Sequence, residues 1–232
     1  MTVPTVLHAD EDVLVINKPV GLLSIPDGYD PNKPHVRALL EPEWGRLWIV
    51  HRLDKDTSGV MVLARNADAH KRLNRAFEQG EVTKVYHALV RGNPDWQTKE
   101  AAWPLRPNVG RRKRTVVDPR RGKPARTHFR VLERFGSHAL VEAIPLTGRR
   151  HQIRAHLYAL GHPIVGDPLY GPGPLPEDPL PHLGLHARRL VFPHPRTQET
   201  IAVTAPYPAT WDRAFEALLF EKAWVDRDET EG

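Results

Sequence analysis

The chain has 232 residues, enough for a substantial core, and its 33 Lys and Arg against 28 Asp and Glu give a formal charge of +5. It has no cysteine, which excludes disulfides, thiolate nucleophiles and Cys-ligated zinc. No apolar run approaches the length of a membrane span, and the first residues lack a charged-then-apolar secretory pattern, so a cytoplasmic location is expected.

Val6–His8 and Val13–Asn17 read as short strands around Ala9-Asp10-Glu11-Asp12, and Asn17-Lys18-Pro19-Val20-Gly21 then breaks the pattern. A loop rich in Pro, Gly and Asp from Pro26 to Pro34 leads to a short helix over His35–Leu40. Val60–Ala64 is too short for a helix and reads as a buried strand. Asp68–Gln79 places Leu73, Ala76 and Phe77 at helical spacing, with Gly80 just past the end. Val82–Arg91 reads as a strand buried on much of both faces.

The positive charge is concentrated. Arg106, Arg111, Arg112, Lys113, Arg114, Arg120, Arg121, Lys123 and Arg126 face only Asp118 as a local acid. Pro107, Pro119, Gly122 and Pro124 prevent a long regular element there, so a hairpin or mobile arm is expected, either merely solvated or contacting phosphates. Thr127–Glu133 and His138–Pro145 read as an antiparallel pair turning at Phe135-Gly136-Ser137, followed by a helix over His151–Leu160. Gly171–Pro181 is an exposed loop. Leu185–Phe192 and Thr200–Ala205 are two further strands, Trp211–Trp224 a last helix, and Asp226–Gly232 a frayed tail. Strands outnumber helices and mostly follow one another, which predicts an α+β fold with a mixed, largely antiparallel sheet.

The chemistry gathers at His51-Arg52-Leu53-Asp54-Lys55-Asp56-Thr57-Ser58-Gly59, polar residues held between two apolar runs. Such a loop on a rigid scaffold is where binding and catalytic groups sit, although the same residues also suit a plain turn. Asp54 and Asp56 lack the further acids that complete a magnesium site. Asp54, shielded by Leu53 and near a cation, suits a nucleophile or base. Tyr86 lies on a mostly apolar strand face, where a buried structural Tyr competes with a base-stacking one. In Leu146–His156 the two histidines, His151 and His156, miss the i, i+4 spacing of the zinc helix, whereas Arg154 can fork onto a carboxylate. No glycine-rich phosphate loop is present, so a nucleotide cofactor has no support.

Taken together these stretches resemble a known family. His51–Gly59 is similar to the HRLDxxTSG signature of the RluA-type pseudouridine synthases. Asn17–Gly21, Lys84–Gly92, Gly122–Thr127, Thr147–His156, Gly166–Gly171 and Leu185–Ala187 match further motifs of that family, in order, from about residue 6 to 206. The resemblance implies one pseudouridine synthase domain over residues 1–232, without an S4-type RNA-binding domain. Its expected fold is a mixed, largely antiparallel sheet flanked by helices around a central catalytic cleft.

The resemblance also implies a metal- and cofactor-free isomerase, monomeric, whose partner is rRNA or tRNA. Carried over by position, Asp54 is the nucleophile, Tyr86 stacks on the uracil and handles the final proton, and Arg154 pairs with Asp54. Arg52 enters the RNA helix where the target base left, and Leu185 packs under the uracil. Arg111, Arg112, Lys113, Arg114 and Lys123 belong to the expected phosphate-contacting arm. Two other readings stand beside it. One is an RNA-binding or assembly factor on the same fold. The other is an RNA hydrolase built on Asp54, Asp56 and His51.

Overall fold

The computed structural model describes residues 3–30 and 32–230. In chain order the elements are β1 (Thr5–Ala9), β2 (Val13–Lys18), α1 (Val36–Trp44), β3 (Trp48–Ile49), β4 (Ser58–Ala64), α2 (Ala67–Gln79), β5 (Thr83–Arg91) and β6 (Thr98–Ala101). The order continues with β7 (Leu105–Val109), β8 (Arg114–Val117), β9 (Thr127–Phe135), β10 (His138–Pro145), α3 (Gln152–Ala159), β11 (Leu185–Pro193), β12 (Thr200–Thr204) and α4 (Ala209–Thr230). The fold is α+β, with mostly antiparallel pairing, and the chain forms two compact units. One comprises the residues up to Val85 with His186–Pro206, the other Tyr86–Leu185 with the residues from Tyr207 on.

The first unit is built around β4, whose seven residues are all buried, as its unbroken apolar run predicts. β2 pairs antiparallel along it from Val13↔Ala64 to Lys18↔Gly59. β1 pairs with β2 through a bulge at Val6/His8, and β12 with β11 in an antiparallel hairpin. β3 joins β4 at Trp48↔Ala64, and β11 runs parallel to it at His186↔Ser58 and Ala187↔Gly59. α2 starts where Asn66 accepts the Ala69 N–H at 2.8 Å and stops at the left-handed Gly80. Its buried face is Ala69, Leu73 and Ala76.

In the second unit β10 lies between β5 and β9, and β6 adds to β9, all antiparallel. Side chains that alternate along these strands feed two cores. Ala88, Val90, Val131, Ala139, Val141 and Ala143 pack with Ile153 and Leu157 of α3. Leu89, Phe135 and Leu140 pack with Trp211, Ala214 and Leu218 of α4. The β5 segment is therefore covered on both faces, as its sequence implies.

Some boundaries differ from expectation. α1 continues past Leu40 through Pro42 to Trp44 and closes at Gly45, whose N–H bonds the Glu41 carbonyl. The basic stretch folds as the hairpin β7–β8 with a bulge. β6 is a strand that its exposed Thr-Lys-Glu sequence did not advertise. α4 runs through Asp226 to Thr230, while Glu231 and Gly232 of the expected frayed tail lie outside the described residues. No helix among the described residues is long and apolar enough to cross a membrane.

Candidate active site and basic hairpin

Asp54 sits in the bend between β3 and β4, partly buried, and the bend is braced from several sides. The Thr57 N–H donates to the Asp54 carbonyl at 3.1 Å. Ser24 Oγ donates to the Leu53 carbonyl at 2.7 Å and accepts the Leu53 N–H at 3.1 Å. The Lys55 carbonyl accepts from the Gly21 N–H and from Lys18 Nζ, both at 3.0 Å. Beyond the bend, Gly59 has φ +112°, and a Cβ there would stand 2.2 Å from the Ala187 carbonyl oxygen, so only glycine fits. Ser58 bonds His186 Nδ1 at 2.8 Å, while His186 Nε2 faces the Ala205 carbonyl at 3.4 Å. A carbonyl only accepts, so the proton is on Nε2 and Ser58 donates to Nδ1.

Within the same unit Arg52 is exposed, consistent with a group that reaches outward. His51 does the opposite. Its ring stacks on Phe77 at 4.8 Å, and Nε2 accepts the Val62 N–H at 3.1 Å. Burial, with Lys84 adding repulsion, pushes its pKa down to about 3. A neutral imidazole whose Nε2 lone pair is taken by the backbone is a structural group, which removes the His51 base from the hydrolase reading.

Tyr86, Arg154, Leu185 and the basic residues belong to the second unit. Tyr86 lies opposite Ala143 on β10 and packs against the cluster that contains Leu185 and Ile153. Leu185 is only 4 % exposed, an apolar floor rather than a surface group. Arg154 is buried on α3. Its Nε and Nη2 fork onto Asp167 at 2.8 and 2.9 Å, and its guanidinium lies 5.1 Å from the centre of the Tyr170 ring. Asp167 is itself fully buried and also accepts the Leu169 and Tyr170 N–H groups, at 2.8 and 3.0 Å. Asp167 stands in the Gly166–Gly171 motif, within which the sequence assigned no residue a role. Its signal is an Asp before Pro in a glycine-flanked stretch, where a carboxylate caps its own turn.

The hairpin tip carries Arg111, Arg112 and Lys113, all exposed, and Lys123 is exposed nearby on a strand-like contact with Leu105. Arg114 differs, lying 5.7 Å over the Tyr158 ring and donating to the Leu169 carbonyl at 3.4 Å. Arg150 donates to Asn108 Oδ1 and to the Lys113 carbonyl, tying the tip to the start of α3. Arg149 and Arg150 are thus exposed cations beside the hairpin that the sequence reading left out.

One group among the described residues has the side chains for a metal, Asp10, Asp12 and His194. Its geometry is that of an ion-pair clasp. His194 Nδ1 accepts the Arg196 and Thr197 N–H groups at 3.2 and 3.0 Å, so Nε2 carries the proton that faces Asp10 at 3.3 Å. Arg196 Nε stands 2.8 Å from Asp12. A metal at this place would have to displace the His194 Nε2 proton and the Arg196 guanidinium.

A model of the RNA pseudouridylate synthase family matches residues 12–159, more than half of the sequence, and the chain belongs to that family. Among its relatives, the dual-specificity RNA pseudouridine synthase RluA of Pasteurella multocida is 40 % identical over 202 residues, 87 % of this chain and 92 % of its own length. Ribosomal large subunit pseudouridine synthase D of Haemophilus ducreyi is 36 % identical over 92 % of this chain and 70 % of its own. The solved structure of human RNA pseudouridylate synthase domain containing 4 superposes with a TM-score of 0.76 at 29 % identity, covering 92 % of each chain.

Proposed function

We propose that this chain acts as a single catalytic domain that converts specific uridines of structured rRNA or tRNA to pseudouridine, with Asp54 as nucleophile. The rigid mounting of Asp54 carries the reading, because a group that must meet a reacting atom within a few tenths of an ångström needs a fixed backbone. One relative is named a dual-specificity RNA synthase and another a ribosomal large subunit synthase, which supports RNA as the substrate and rRNA among its classes.

A uridine inside folded RNA is out of reach, so it is flipped from its stack at a cost of a few kcal/mol. Arg52 takes the place of the departed base, and the basic hairpin holds the backbone phosphates. Asp54 attacks the flipped nucleoside and the glycosidic bond breaks. The freed uracil rotates, C5 bonds to C1′, and the C5 proton leaves as Asp54 is regenerated. Tyr86 stacks on the uracil and takes part in that proton transfer, over the apolar floor at Leu185. Arg154, oriented by Asp167, helps seat the phosphate or base of the flipped nucleotide. The proposed reaction uses no metal or cofactor and takes place in a cytoplasmic monomer.

Asp54→Asn is the direct test. It should lower turnover by roughly a thousandfold or more while filter binding of total RNA stays unchanged. Loss of RNA binding in equal measure would make Asp54 a structural residue instead.

A further inference from the structure

A cleft of about 160 Å³ opens between β8, α3 and Tyr170, all within the second unit. Val117, Ala155 and Ala159 make its wall mostly apolar. Pockets that enclose a whole small-molecule ligand measure about 300–1,000 Å³, so this one has room for a single ring system. Tyr158 lines it and is 48 % exposed, with the Tyr170 ring 6.1 Å and the Arg114 guanidinium 5.7 Å from its own ring. Thr115, also in the wall, is 1 % exposed. Its N–H donates to the Tyr170 hydroxyl at 2.8 Å, but its own Oγ1 is buried with no hydrogen-bond partner among the described residues. Buried hydroxyls are ordinarily paired, and one left unmet costs stability that a bound polar edge restores.

The surroundings are positively charged. Arg111, Arg112 and Lys113 are exposed immediately before Arg114, and Arg150 donates to the Lys113 carbonyl at 3.2 Å. Asp118, the one acid between Arg106 and Arg126, pairs with Arg106 at 3.0 Å and accepts the Arg120 and Arg121 N–H groups. An anion arriving here meets cations and no unpaired carboxylate of this stretch. A phosphate alone makes no use of the aromatic wall, and an uncharged apolar molecule makes none of the cations. An unstacked base on its sugar–phosphate chain uses both, since every base has a flat π face and every nucleotide a charge.

We propose that this cleft is a second base-binding site of the enzyme. An unstacked RNA base, other than the uridine to be isomerised, lies against Tyr158 with its edge at Thr115, while its backbone phosphates meet the hairpin cations. Stacking makes the site tolerant of base identity. The inference rests on the reading of the hairpin as a phosphate contact and is independent of Asp54 as nucleophile.

The test uses the full-length chain as wild type, Tyr158→Ala, Tyr158→Phe, Thr115→Val, and the triple change of Arg111, Arg112 and Lys113 to Gln. Each is titrated against total RNA from cells lacking this enzyme, by filter binding over a range of salt, and its melting curve is recorded. Wild type bound to the same RNA is also irradiated with ultraviolet light, and the residues that carry nucleotide adducts are located by mass spectrometry. Tyr158→Ala should bind about tenfold more weakly with the salt slope unchanged, and Tyr158→Phe within about twofold of wild type. Thr115→Val, which removes an unmet hydroxyl, should melt no lower than wild type yet bind about threefold more weakly. Adducts should include Tyr158. A Tyr158→Ala affinity within about twofold of wild type would overturn the proposal, as would adducts confined to residues outside the cleft. A loss that flattens the salt slope would overturn it too, by making Tyr158 a prop for a phosphate contact. If Tyr158→Ala does not fold, Thr115→Val and the adducts decide, and wild-type binding by Thr115→Val would then count against the site. An unchanged salt slope in the triple variant, with Tyr158→Ala still weakened, would remove the hairpin reading and leave the base site standing.

Discussion

His51 illustrates how residue type and residue role part company. In the sequence it stands beside two carboxylates and reads as an acid–base candidate; in the fold its ring lies against Phe77 with Nε2 bonded to the Val62 N–H. Its pKa of about 3, against 6.5 ordinarily, has a consequence for stability. Between these values the unfolded chain binds a proton that the folded chain refuses, so stability falls as pH falls through this window. His51→Gln, which keeps an acceptor for Val62, should remove that loss. Between about pH 7 and about pH 4 its unfolding free energy from urea titration should drop less than that of wild type, by up to about 3 kcal/mol. Parallel drops would show that His51 protonates freely in the fold. Gly59 makes a second, sharper case. With φ +112° and the Ala187 carbonyl oxygen 2.2 Å from any added Cβ, Gly59→Ala should cost about 3 kcal/mol or more, read as a lower thermal midpoint. The sequence points to Asp54, Tyr86 and Arg154 because their motifs carry chemical side chains at fixed spacing. It does not point to Asp167, Lys18 or the burial of His51, because each depends on carbonyls, rings or N–H groups that only the folded backbone brings near.

At the scale of elements, the helix α2 was readable end to end, since its apolar spacing and Gly80 are local signals. α1 was cut short because Pro42 reads as a stop, yet a helix tolerates it here by giving up one N–H donor. The Pro and Gly breaks of the basic stretch predicted a hairpin or a mobile arm, and it folds as a hairpin. What its sequence could not show is the division of labour among its cations. Arg111, Arg112 and Lys113 point outward at the tip, whereas Arg114 lies back over Tyr158 and Arg150 ties the tip to α3. Replacing Arg111, Arg112 and Lys113 together with Gln should therefore weaken binding to total RNA without disturbing the fold. The slope of log affinity against log salt should flatten by about 2, for three lost phosphate contacts. An unchanged slope would take the hairpin out of the RNA interface. The same change at Arg114 should also lower the melting temperature, because it removes packing on Tyr158 as well as charge.

For the molecule as a whole, the α+β class followed from the succession of strands, and the double burial of β5 from its nearly continuous apolar pattern. The pairing of distant strands did not follow. β11 lies parallel to β4 although more than a hundred residues separate them, and the contact depends on Gly59 meeting Ala187 and on Ser58 donating to His186. Local periodicity carries no information about such partners. Family membership supplies the reaction class, and hydrogen bonds brace the backbone on either side of Asp54, the proposed nucleophile. The central claim, that this chain isomerises uridine through Asp54 without metal, is tested most directly by tritium release from total RNA labelled at uridine C5, with EDTA present. Wild type should release tritium and leave the RNA uncut, and Asp54→Asn should release none. Release that EDTA abolishes, release by Asp54→Asn equal to wild type, or cleavage of the RNA would contradict it.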